Sequence, residues 1–96
     1  MFISTLRYVV ELDRIDAALP DHVAWLDRQY ADGVAVVSGR QEPRVGGVIV
    51  WRGLERPELE RRVAEDPFVA GVLATVTIVE FRATKAGAGF EGLLEA

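Results

Sequence analysis

The chain contains no cysteine. That excludes a disulfide framework, a thiolate nucleophile and any cysteine-based zinc or iron–sulfur site. Its 11 basic residues include a single lysine, Lys85, and they form no run or stripe against a net charge of −4. Phosphate neutralisation supplies most nucleic-acid affinity, so a nucleic-acid-binding module is not expected. No apolar run approaches the ~20 residues that a membrane span needs. Met1-Phe2-Ile3-Ser4-Thr5-Leu6-Arg7 lacks a cationic segment followed by an apolar core, so no signal peptide is expected and a cytoplasmic protein is. There is one histidine, His22. One imidazole and scattered carboxylates make no chelating pattern, and no glycine-rich loop leads from a strand into a helix. Neither a metal nor another cofactor is therefore expected.

What remains is globular in composition: 50% of the 96 residues are apolar and 27% charged, as in ordinary folded domains. The expectation is one domain over residues 1–96. A chain of this size buries only roughly 60–65% of the surface its unfolded form exposes, and dimerisation is a common way to bury more.

Residues 2–10 alternate, with Phe2, Leu6, Tyr8 and Val10 on one side, and read as a first strand. Residues 11–19 read as a connection. Pro20, whose missing N–H costs nothing in a first turn, and Asp21 beside it open a helix over 20–32, stopped by Gly33. Residues 34–38 and 45–51 read as two strands of a loose hairpin, with Gly46-Gly47 marking a bulge or a close backbone approach. Pro57 starts a second helix, which Asp66-Pro67 ends because a residue before proline leaves helical geometry. Residues 73–82 alternate as a fourth strand. The Gly/Ala-rich tail, 86–96, is expected to be flexible or to pack on a partner.

The order βαββαβ has a favoured solution: an α+β, ferredoxin-like domain with a four-stranded antiparallel sheet and both helices on one face. In that topology His22, Asp66 and the segment Ser38-Gly39-Arg40 all fall at the end of the sheet where the first strand finishes. An imidazole titrates near neutrality, as a general acid–base group must. A carboxylate on one ring nitrogen would fix its tautomer, and an arginine could hold an anionic substrate. His22 and Asp66 are thus the candidate catalytic pair, and Ser38, Arg40 and Arg44 the candidate substrate-binding residues. Each also has a plainer reading: a polar helix residue, a helix stop, solvated hairpin side chains. Trp25 and Trp51 read as packing residues.

The segments Pro20-Asp21-His22-Val23-Ala24-Trp25-Leu26, Ser38-Gly39, Pro43-Arg44-Val45-Gly46-Gly47-Val48-Ile49 and Glu65-Asp66-Pro67-Phe68, with a strand ending Glu80-Phe81, resemble the YciI-like (YCII-related) family of the dimeric α/β-barrel group. The resemblance runs from Tyr8 to about Lys85. It implies a homodimer paired through its sheets and a His22–Asp66 acid–base dyad, with a dehydrochlorinase of chlorinated hydroxyquinol among the family's members. Arg40 stands where the family often carries a proline, which alters the charge and shape of the pocket. The implied function is a lyase, dehydrochlorinase or isomerase acting on a small, anionic or aromatic molecule. The alternatives are a non-catalytic small-molecule-binding dimer and, by fold analogy, a cofactor-free oxygenase.

Overall fold

The computed structural model describes residues 1–95. Four strands, β1 (Phe2–Tyr8), β2 (Ala35–Arg40), β3 (Gly46–Trp51) and β4 (Ala74–Glu80), form one sheet. Its order is β2-β3-β1-β4, with every neighbouring pair antiparallel. Strand alternation puts Phe2, Ser4 and Leu6 of β1 on the buried face. Register carries that face across to Ile49 and Trp51 on β3 and to Ala74 on β4, all buried as well. Helices α1 (Leu12–Ala31), α2 (Arg56–Ala64) and the single turn α3 (Pro67–Ala70) supply the rest of the core. The fold is the ferredoxin-like one expected.

The core has two centres. Trp25 of α1, Leu59 and Val63 of α2, and Phe2, Ile49 and Trp51 of the sheet make one. Ile15, Phe68, Leu6, Leu73 and Ala74 make the other. Full burial of such side chains is worth about 1.5–3 kcal/mol each. Both tryptophans are packing residues with satisfied ring N–H groups: Trp51 donates to Ser4 Oγ at 2.9 Å and Trp25 to the Arg62 carbonyl at 3.1 Å.

β1 and β4 are each shorter than expected, ending at Tyr8 and Glu80, and three boundaries that bear on the site differ as well. Residues 12–19 are not a connection but the first two turns of α1, with Pro20 inside the helix. Leu12, Ile15 and Leu19 follow helical spacing, and Ile15 is fully buried in the second core centre. That burial outweighs the one intrahelical hydrogen bond that Pro20 cannot donate. The second helix stops at Ala64 and Glu65 rather than at Asp66, which instead caps α3. β2 runs on to Arg40, so Gly39 and Arg40 lie within the strand and not in the turn that follows it. The irregularity of the hairpin falls between Ala35 and Val37, while Gly46 marks a close backbone approach.

In the tail, a 3-10 turn spans Glu91–Leu93, and the Glu95 carboxylate accepts from the Met1 ammonium and from Ala83 N–H. These contacts hold Glu95 below the usual carboxylate range, the Met1 ammonium contributing most. Ala96, the last residue of the tail expected to be flexible, lies outside the described residues. No helix among the described residues is long and apolar enough to cross a membrane.

Candidate functional site

Asp66 owes its position to the proline that follows it. Its extended backbone (φ −58°, ψ 125°) ends the α2 turn and makes it the N-cap of α3, with Pro67 at the first helical position. The carboxylate is 2% exposed, and its Oδ1 accepts the Phe68 N–H at 3.0 Å. The same oxygen meets His22 Nδ1 at 2.8 Å. A carboxylate oxygen only accepts, so Nδ1 carries the proton and the neutral imidazole keeps its lone pair on Nε2.

His22 comes from the middle of α1, not from its first turn. Its ring stacks on Phe68, with centroids 4.1 Å apart and planes 10° apart, and tilts against Trp25 at 5.7 Å. One contact fixes the tautomer, and two aromatic neighbours fix the ring plane. An imidazole held in this way is positioned for proton transfer at its free nitrogen.

His22 lines a cavity of about 200 Å3. Its walls are Leu6 and Tyr8 of β1, Leu19 of α1, Gly39 and Arg40 of β2, Gly47 of β3, Phe68 of α3, and Arg44 from the β2–β3 hairpin. A smaller hollow of about 80 Å3 shares Leu6, His22, Gly39 and Gly47 and adds Ser38 and Leu26. Gly47, opposite Leu6 on the inner face of the sheet, leaves room where a side chain would stand. A dry cavity of about 150 Å3 holds a benzene ring, so the larger space suits a single-ring molecule.

Of the residues expected to bind substrate, Arg40 and Arg44 line the main cavity, while Ser38 lines only the neighbouring hollow. The Ser38 hydroxyl pairs with the Tyr30 phenol at 2.6 Å. Arg44 Nη2 donates to Asp16 Oδ1 on α1. That bond holds the Asp16 carboxyl below the usual carboxylate range and raises Arg44 above the usual guanidinium value. Sequence reasoning missed Tyr8, Phe68, Asp16 and Leu19 as site residues. Tyr8 had a signal, as the last member of the inward stripe on β1. Asp16 and Leu19 had none once residues 11–19 were read as a connection.

Other hollows carry less chemistry. One of about 270 Å3 lies between α1 and α2 beside Arg62. That guanidinium is taken up by Asp32, Gln29 and Glu58. Among the described residues no group of three or more side chains could hold a metal ion.

These features define a small ferredoxin-like α+β protein with a histidine–aspartate pair in the wall of a ring-sized cavity. The chain belongs to the YCII-related domain family, which it matches over residues 1–82. No curated protein matches it by sequence. Among solved structures it is similar to the 5-chloro-2-hydroxyhydroquinone dehydrochlorinase of Burkholderia phenoliruptrix AC1100, in complex with 2,5-dihydroxybenzoquinone. The two superpose with a TM-score of 0.68 at 19% identity, covering 86% of this chain and 95% of that one. At that identity the likeness shows the fold.

Proposed function

We propose that this chain is a small-molecule acid–base enzyme of the lyase, dehydrochlorinase or isomerase type. The observation that carries the reading is the 2.8 Å contact between His22 Nδ1 and a buried Asp66, placed in the wall of the cavity. In the proposed step, Nε2 of neutral His22 takes a proton from a substrate hydroxyl or an acidic C–H. The imidazolium so formed is stabilised by the Asp66 carboxylate. The proton then returns to another substrate atom in an isomerisation, or leaves with a departing halide in a dehydrohalogenation. Arg40 and Arg44 lie where they can meet the negative charge left on the substrate.

The structural likeness suggests 5-chloro-2-hydroxyhydroquinone as the first compound to test. Chloride release by the wild-type chain is expected, with kcat/KM lower by about 100-fold or more in His22→Gln. Undiminished turnover in His22→Gln would overturn the acid–base role. Binding of the compound followed by its recovery unchanged would favour a non-catalytic binding protein.

The same reading takes the chain as a homodimer paired through the outer face of its sheet. Alternation and register place Ile3, Val48, Val50, Val37 and Val79 on that face, away from the helices. Val37 and Val79 are more than half exposed in the single chain. Light scattering is expected to give twice the chain mass, and Val50→Arg to give the single-chain mass. A wild-type protein that runs as a monomer at working concentration would refute the pairing.

A further inference from the structure

Arg44 carries the one buried side-chain polar atom that lacks a hydrogen-bond partner among the described residues, its Nε. A buried N–H without an acceptor is costly, and besides Asp16 the Tyr8 side chain in the same cavity wall acts on this guanidinium. The other edge of the same guanidinium is fixed by Asp16. The Arg40 guanidinium, in the same cavity wall, makes no side-chain hydrogen bond or ion pair among the described residues, and its charge helps to lower the pKa of Asp16. Two guanidinium groups therefore face a single carboxylate at this rim. Asp66 is the remaining carboxylate of the site, and it is committed to His22 and the Phe68 N–H. The rim made by Arg40, Arg44 and Asp16 thus carries one unit of positive charge beside a ring-sized, partly aromatic space.

We infer that the site takes a single-ring molecule as its monoanion, with the anionic oxygen on the Arg44–Arg40 rim, and that Asp16 is the internal counter-ion that positions Arg44 and limits its affinity. This deepens the acid–base reading above by naming the charge state of the substrate. A monoanion neutralises the rim, whereas a neutral ring leaves its excess charge unmet and a dianion overcompensates. With the anionic oxygen held by the two arginines, His22 Nε2 is left for the reacting proton. Asp16 is 55% exposed, so its competing charge is screened and its effect is modest.

The test uses benzoate and benzamide, which share a ring and differ in charge, and follows their binding to the intact chain by calorimetry. Wild type is expected to prefer benzoate by about tenfold or more, a preference that weakens as salt is added. Arg44→Gln is expected to abolish the preference. Asp16→Asn keeps an acceptor oxygen for Arg44 and removes the competing charge, so benzoate is expected to tighten roughly two- to fivefold while benzamide is unchanged. His22→Gln is expected to retain the preference, so loss of turnover and loss of anion recognition are read separately. Equal behaviour of the two compounds in wild type, including no binding of either, overturns the inference. So does weaker benzoate binding in Asp16→Asn.

Discussion

Gly46→Ala is expected to remove a large part of the stability of the fold and to lower its melting temperature sharply. A Cβ built at Gly46 falls 1.7 Å from the Leu6 carbonyl oxygen, 2.7 Å from its carbon and 3.1 Å from Arg7 Cα. All three atoms belong to the backbone of β1, the central neighbour of β3, so no side chain can swing aside to make room. Relief requires β1 and β3 to part at this point. The Leu6 carbonyl also accepts from Gln41 Nε2, and Gln41 N–H donates to the Gly46 carbonyl, so parting the strands disturbs the hairpin as well. A defect of this kind costs ~4 kcal/mol or more, against a total of roughly 5–14 kcal/mol for a domain this size. Gly47→Ala is the matched control. There the nearest atom to a new Cβ is the Gly39 carbonyl oxygen at 3.4 Å, an ordinary contact. Its fold is expected to survive with cavity volume lost, so circular dichroism and thermal melts of the two variants should separate cleanly. A cooperative Gly46→Ala melt close to wild type would show that the strands can part at little cost.

The contrast between these adjacent glycines shows what the sequence could and could not disclose. The pair was legible as a place where backbones meet, yet only the register of β1 on β3 tells which glycine is obligatory for the fold and which opens the cavity. The convergence of His22 and Asp66 was legible from the order of elements, although one premise was mistaken. Pro20-Asp21 imitates a helix start, and the preceding Leu12, Ile15 and Leu19 were passed over despite their helical spacing. The helix begins two turns earlier, so His22 lies near its middle, about 15 Å along it at 1.5 Å per residue. The pair still meets, because Asp66-Pro67 must leave the helix wherever α2 ends, and the cap of α3 faces α1. Which of Ser38, Arg40 and Arg44 line the cavity was not legible, because the second strand reads as ending at Ser38 whereas β2 runs on to Arg40. The Arg44–Asp16 bond was not legible. It joins a hairpin tip to a helix turn 28 residues away, and no periodicity encodes that contact.

Asp66→Ala is expected to damage stability and chemistry together, and Asp66→Asn to separate them. In the alanine variant the Phe68 N–H loses its cap, which costs about 1 kcal/mol. His22 Nδ1 loses its acceptor in a mostly buried setting, adding about 1–3 kcal/mol. The expected loss is therefore about 2–4 kcal/mol, visible as a large drop in melting temperature. Asparagine is as good an N-cap as aspartate, and its Oδ1 can still accept from Phe68, so that variant should melt much closer to wild type. Its chemistry should fail all the same. With the amide oxygen toward Nδ1, the imidazolium formed during proton transfer has lost its counter-charge. With the amide NH2 toward Nδ1, the proton of neutral His22 moves to Nε2, and the nitrogen facing the cavity can no longer act as a base. Either way turnover of 5-chloro-2-hydroxyhydroquinone is expected to fall by about 100-fold or more. Because the chain has one histidine, nitrogen NMR of labelled imidazole reads the tautomer without assignment and tells the two routes apart. An Asp66→Asn protein that is folded and fully active would mean that the carboxylate serves only to cap α3 and that the dyad is structural.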